Sequence, residues 1–196
     1  KNKRKNKFII VTGGGSVARK YISALREIGV NEKLQSMAGI SATRMNARFM
    51  TYFFGGDSEE GIPHTLETLE NYIHKKDIVF CGALEYRPNQ TSDATAAEIA
   101  NHFKTIFINL TNVSGLYNKN PLEHKDAKFI PEISWKDFDK MAHAKKYKPG
   151  QHFILDQTAS KVIMKHKIIT YILGKDMKHL DNLLNGRKFT GTIIQG

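Results

Sequence analysis

The chain has 196 residues, a formal net charge of +11 from 30 Lys and Arg against 19 Asp and Glu, a hydrophobic share of 40% and one cysteine. That size and apolar content suit one large α/β domain or at most two small ones, with a single domain, 1–196, expected, and exclude general disorder or a fibrous repeat. The lone Cys81 excludes an internal disulfide, no apolar run approaches the roughly 18 residues that span a bilayer, and no charged-then-apolar leader is present, so a soluble cytoplasmic setting without membrane partners is the expectation.

The charge admits three readings: contact with nucleic acid, affinity for small polyanions, or Lys-rich solvation. Lys1 to Lys7 (KNKRKNK) carries five positive charges in seven residues. No aromatic residue is interleaved there, which argues against single-strand binding, and no nucleic-acid partner is expected.

In chain order, residues 8–12 (FIIVT) form a short β-branched run, Gly13, Gly14 and Gly15 a turn, and residues 16–28 a periodic helix that Ser16 can cap. The spacing of Met45, Phe49, Tyr52 and Phe53 predicts a helix over 40–54, closed by a turn cluster at 55–63. A helix over 65–74, a buried strand over 77–81 (DIVFC), a polar loop over 83–92 and an Ala-rich helix over 93–103 follow. Residues 105–110 (TIFINL) read as another buried strand before the turn-rich 111–121. Beyond it come a helix over 134–144, a basic loop over 145–150, a helix over 157–165, a strand over 168–173 (IITYIL), a helix over 175–185 and a last strand over 192–195. Strands and helices alternate and the strands are continuously apolar, which predicts an open, mostly parallel central sheet with helices on both faces. Ligands of such sheets bind beyond the carboxyl ends of the strands, where three loops fall: 13–19, 83–93 and 111–121.

Each loop has two readings. The glycine triplet leaves a strand and enters a helix, so its N–H groups can face an anion, with Arg19 adding a fixed charge; equally, the glycines can serve only the turn and packing. Gln90, Thr91, Ser92 and Asp93 suit a sugar, base or phosphate, or simply cap a helix. Residues 111–117 (TNVSGLY) can hold a planar base, or Tyr117 can pack over its own loop. Asp156 can cap the helix that contains Lys161, or orient Lys161 toward a transferring phosphoryl group. The eight His are scattered without HExxH or zinc spacing, so no protein-held metal site is expected. Cys81 ends a buried-looking strand, where an inert core role is expected.

Taken in order, VTGGGSVARKYI (11–22), GISATRMNARFM (39–50), QTSDATAAEIA (90–100), LTNVSGLYNKNP (110–121), ILDQTASKVI (154–163) and GTII (191–194) resemble the amino-acid kinase superfamily and, within it, the archaeal-type uridylate (UMP) kinases. The resemblance implies a three-layer amino-acid kinase-like sandwich and transfer of the ATP γ-phosphoryl group to UMP, with Mg2+ accompanying ATP. Gly14, Gln90, Thr91 and Ser92 would hold UMP. Gly15, Arg19, Thr111, Asn112, Tyr117 and Asn120 would hold ATP. Lys161, Asp156 and Arg19 would serve transfer. It further implies homo-oligomers, dimer-based and up to hexamers, with the helix matching 39–50 in the dimer.

Some positions depart from that pattern. Ser114 and Asn120 stand where family members usually carry Asp, and residues 83–89 lack the usual paired glycines and carry Glu85, Tyr86 and Arg87. The first strand here matches the family's second, so a preceding strand, glycine-rich loop and helix are expected in the full gene product. The rival expectations are a superfamily kinase acting on another small acid, or a relative that binds nucleotide or nucleic acid without transfer.

Overall fold

The structure is a computed structural model that describes residues 6–56, 61–88, 90–144 and 155–196. Most of the basic start, residues 57–60 of the turn cluster, Asn89 and the basic loop at 145–150 lie outside the described residues. The chain forms two compact units, Lys1–Thr95 and Ala96–Gly196.

In the first unit, β1 (Phe8–Val11) and β2 (Ile78–Cys81) pair in parallel, with Phe8 opposite Ile78 and Val11 opposite Cys81. A parallel pair needs a crossover, supplied here by α1 (Gly15–Glu27), α2 (Glu32–Phe53) and α3 (Leu66–Lys75). α2 begins well before the helix predicted at 40–54, because the Asn31 side chain accepts the Leu34 N–H at 3.0 Å and caps it. Thr65 caps α3 in the same way, and Lys7 Nζ donates to the Ile73 carbonyl at 2.7 Å near the other end of that helix. Ala47 on α2, Ile62 and Phe80 make the buried centre, with Ile10, Met50 and Ile78 packed around it. α1 lies on α2 at glycine distance: a Cβ on Gly39 would come 3.2 Å from Ile22 Cδ1. α4 (Ser92–His102) starts in this unit and crosses into the next.

In the second unit, β3 (Phe107–Leu110), β6 (Glu132–Ile133), β7 (Thr170–Leu173) and β8 (Thr192–Ile194) form a sheet in the order β3-β7-β8-β6. β3 with β7 and β6 with β8 are parallel, whereas β7 and β8 are antiparallel. The turn-rich segment contains β4 (Leu116–Tyr117), which pairs antiparallel with β5 (Phe129–Ile130). These two-residue strands are too short for alternation to register in the sequence. α5 (Trp135–Ala144) and α6 (Gln157–His166) pack together, with Ser160 Oγ donating to Asp139 Oδ1 at 2.6 Å and Trp135 Nε1 to the Ile168 carbonyl at 2.9 Å. α7 (Met177–Leu184) connects β7 to β8. Phe138, Leu155, Ile163, Ile172, Leu173 and Ile194 are fully buried.

The fold is therefore the expected α/β class, with a mixed rather than purely parallel sheet and flanking helices. Among the described residues no helix is long and apolar enough to cross a membrane. Cys81 is fully buried, and burial pushes its thiol up to about 12, because a thiolate there would lose its hydration. Native protein is expected to leave Cys81 unreacted with a disulfide reagent at pH 8 and to release one thiol equivalent only on unfolding, measured by absorbance of the displaced aryl thiolate.

Candidate functional site: two helix starts and a glycine-lined loop

The glycine turn follows β1 directly. Gly14 is the N-cap of α1, and no side chain caps that end; Ser16, expected there, lies already inside the helix. The first turn holds no acidic residue either, so its leading N–H groups remain open to an anion. Gly15 has φ +58°, the left-handed region in which glycine alone is unstrained. Gly14 serves packing as well: a Cβ there would stand 2.4 Å from Ala18 Cβ and 3.5 Å from Ala42 Cβ. The triplet thus serves the turn and the packing, at a helix end that carries no side-chain cap. Arg19 is exposed in α1.

The second candidate segment meets this turn. A Cβ on Gly13 would lie 3.7 Å from Ser92 Oγ, so the first residue of α4 adjoins the glycine turn and two positive helix ends converge. Thr91, rather than Ser92 or Asp93, caps α4: its Oγ1 accepts the Ala94 N–H at 3.0 Å, and its carbonyl accepts from Thr95 Oγ1 at 2.9 Å. Gln90 Nε2 donates to Thr95 Oγ1 at 3.3 Å. The cluster is therefore preorganised by its own capping network.

Sequence reasoning missed the residues that hold these two segments in place. Thr12 Oγ1 donates to the Thr43 carbonyl at 2.9 Å, Asn46 Nδ2 donates to the Gly13 carbonyl at 2.7 Å, and the Ala83 N–H donates to Thr43 Oγ1 at 2.9 Å. Arg44 reaches the Ala83 and Leu84 carbonyls. The signal was present in the TRMNA run, whose polar positions interrupt an otherwise apolar helix side. Nearby, partial desolvation and then the charges of Arg44 and Arg48 hold the His64 imidazole below its ordinary 6.5.

In the second unit, residues 111–117 leave β3 along a path with no room for side chains beneath it. A Cβ on Gly115 would meet Phe129 Cε2 at 2.7 Å and Thr192 Oγ1 at 2.8 Å, and one on Gly174 would meet the Val113 carbonyl oxygen at 3.1 Å. Thr192 Oγ1 accepts the Leu116 N–H at 2.8 Å, and a Cβ on Gly191 would come 2.5 Å from Leu173 Cδ2. The closing GTII run thus seats this loop. Thr111 is half-buried and Asn112 exposed, Tyr117 packs edge-on against Phe129 at 5.3 Å, and Asn120 Oδ1 accepts the Leu122 N–H at 3.1 Å in a local turn. Asp156 is the N-cap of α6, Oδ1 accepting from Thr158 N at 2.8 Å and Ala159 N at 2.9 Å. Lys161 is exposed on the same helix, directly after Ser160, which is buried and bonded to Asp139. Capping is what Asp156 does here, and it fixes the start of the helix that carries Lys161.

The amino acid kinase family model matches residues 1–174. The chain belongs to the amino acid kinase family. Membership makes it a phosphotransferase of the nucleotide-using kind. It is similar to the uridylate kinase of Thermoplasma volcanium, 34% identical over 187 residues covering 95% of this chain and 81% of that one. The uridylate kinase of Methanobrevibacter smithii is 31% identical over 96% of this chain and 84% of its own. Among solved structures, uridylate kinase from Archaeoglobus fulgidus superposes with a TM-score of 0.84 at 29% identity, covering 98% of this chain and 86% of that one. UMP kinase from Ureaplasma parvum, at 20% identity, shares the fold with a TM-score of 0.75 over 99% of this chain and 84% of its own. The resemblance carried by the ordered sequence blocks agrees with the family model and with these archaeal relatives.

The loop after β3 depends on Gly115 having no side chain. Gly115→Ala is expected to destabilise the protein by about 1–3 kcal/mol through overpacking against Phe129 and Thr192, measured by urea unfolding.

Proposed function

We propose that the chain transfers the γ-phosphoryl group of MgATP to UMP, giving UDP and MgADP in the cytoplasm. The observation that carries this reading is the convergence of the uncapped α1 start on Ser92 at the start of α4, which offers a dianionic phosphate two positive helix ends. The similarity to archaeal uridylate kinases over 95% of the chain supports UMP as the acceptor.

The reaction asks little of acid–base chemistry. A nucleoside monophosphate is largely dianionic at neutral pH, since its second pKa is about 6, so a phosphate oxygen is already the nucleophile. That oxygen bonds to the γ-phosphorus as the bond from phosphorus to the β,γ-bridging oxygen breaks, and ADP departs with the electron pair. No proton needs to move. The protein's task is to hold two polyanions in line and to balance charge as it develops. In this reading Gly14, Gln90, Thr91 and Ser92 hold UMP, and Gly15, Arg19, Thr111, Asn112, Tyr117 and Asn120 hold ATP. Arg19 and Lys161 neutralise the transferring group, and Asp156 fixes the helix that presents Lys161. Magnesium enters as part of the MgATP substrate. Among the described residues no group of three or more His, Cys, Asp or Glu is arranged to hold a metal ion, and no residue is assigned to do so.

Lys161→Ala is expected to lower kcat by about a hundredfold or more with little change in the KM for UMP, because the charge it balances develops in the transition state. A coupled ADP-release assay over UMP, CMP, aspartate and acetylglutamate reads both this effect and the acceptor. Turnover unchanged in the variant would sink the role of Lys161, and preference for an amino acid would sink UMP.

The same reading includes a dimer built on α2. Met45, Phe49, Tyr52, Phe53 and Phe54 on and just after this helix are 50%, 62%, 46%, 73% and 56% exposed, a concentration of large apolar groups that water disfavours. Pairing with a second copy, and assembly of such dimers up to hexamers, would cover them. Phe53→Glu is expected to shift the mass in light scattering toward monomer without unfolding the chain.

A further inference from the structure

The acceptor segment leaves β2 under unusual constraint. Ala83 and Leu84 are 6% and 7% exposed, yet they lie in irregular chain just past the strand, where backbone polar groups have no sheet partner by default. Two adjacent residues of α2 supply three partners. Thr43 Oγ1 accepts the Ala83 N–H at 2.9 Å and itself donates to the Ile40 carbonyl at 2.7 Å, which fixes its rotamer. Arg44 Nε donates to the Ala83 carbonyl at 3.1 Å, and its Nη2 donates to the Leu84 carbonyl. Gly82 lies so close to α2 that a Cβ there would stand 2.6 Å from both Arg44 N and Thr43 Oγ1, so strand exit and helix are in backbone contact.

The choice of arginine has a physical reason. Two successive carbonyls point in different directions, and a planar guanidinium spans both with separate N–H groups, whereas an ammonium acts as a single compact donor centre. No acidic side chain is needed for this task, and the charge strengthens each bond to a neutral carbonyl. Partial burial lowers the Arg44 pKa from its ordinary value. The segment so held continues through Glu85, Tyr86 and Arg87 to Gln90, Thr91 and Ser92. Its far end is anchored separately, by Thr91 capping α4. Tyr86 between the anchors has Lys33 of α2 over its ring at 5.9 Å.

We propose that Arg44 is a positioning residue for the acceptor: by holding both carbonyls at the exit of β2, it sets the direction of the segment that ends at Gln90, Thr91 and Ser92 and thereby the affinity for the nucleotide accepting the phosphoryl group. The inference rests on the reading that this segment holds the acceptor. It does not require the acceptor to be UMP. The glycine turn is tied to the same helix by Thr12 and Asn46, so α2 holds both walls of the acceptor site, and Arg44 governs one of them.

The test is steady-state kinetics on the full chain, with UMP and MgATP varied in turn, for Arg44→Met and Arg44→Lys. Arg44→Met is expected to raise the KM for UMP about tenfold to a hundredfold while moving that for MgATP less than about twofold, the loss of one or two charge-assisted bonds. Arg44→Lys, which restores one donor centre, should recover part of the loss; a purely structural defect would move both KM values and the melting temperature together. An unchanged KM for UMP in a folded variant, or equal rises for both substrates, overturns the proposal. Should Arg44→Met fail to fold, Arg44→Lys and Thr43→Val each remove part of the same clamp and are read by the same criterion. If the wild type turns over a different acceptor, the UMP assignment fails, and the KM for that acceptor decides the role of Arg44.

Discussion

The first unit depends on one arrangement: the middle of α2 lies against the carboxyl ends of β1 and β2 and bonds to the chain leaving both. Thr43 takes the Thr12 hydroxyl on its carbonyl and the Ala83 N–H on its hydroxyl, Asn46 reaches the Gly13 carbonyl, and Arg44 spans the Ala83 and Leu84 carbonyls. Neutral bonds of this kind each contribute about 0.5–1.5 kcal/mol net, and those from a guanidinium about 1.5–3. Their sum matters less than their placement. Loops beyond strand ends are free to vary unless something holds them, and here one rigid helix holds both. Gly82 and Gly14 make this possible, since neither approach leaves space for a Cβ.

A second constraint of the same type shapes the other unit. The loop after β3 lies over Gly174, Gly115 and Thr192, and the Thr192 hydroxyl serves as a backbone partner from another strand. α6 is placed by two short contacts, Asp156 with its own first turn and Ser160 with Asp139 on α5. Lys161 therefore extends from a helix whose start and rotation are both set. In each unit, a group that would contact substrate sits on backbone held by groups that would not. This division is what phosphoryl transfer requires of a protein, because the chemistry is supplied by the substrates and the gain lies in orientation.

α2 also has a second side. Its buried residues, Ala42, Thr43 and Ala47, face the loops and the core, while Phe49, Tyr52 and Phe53 face outward. Any partner covering the aromatic side would press on the same rigid body that carries Thr43, Arg44 and Asn46. The fully buried positions of this helix are small, Met50 packs at their edge, and Phe49, Tyr52 and Phe53 remain exposed.

Much of this was legible in the sequence. Continuous apolar, β-branched runs at 8–12, 77–81, 105–110 and 168–173 located four strands, and the ordered blocks from 11 to 194 were specific enough to name a family. The start of α2 was not legible: the helix there begins at the Asn31 cap, whose side chain accepts the Leu34 N–H only once the turn has formed. β4, β5 and β6 escaped because two residues carry no period. The antiparallel pairing of β7 and β8 escaped because direction is set by where the chain returns, which local pattern does not record. The sequence by itself determined which side-chain chemistry the chain carries. Only the tertiary structure decided that Thr91 caps α4, that Asp156 caps α6 and that Arg44 clamps a loop forty residues away. Those roles depend on which backbone groups lack partners after folding, and no residue announces that alone.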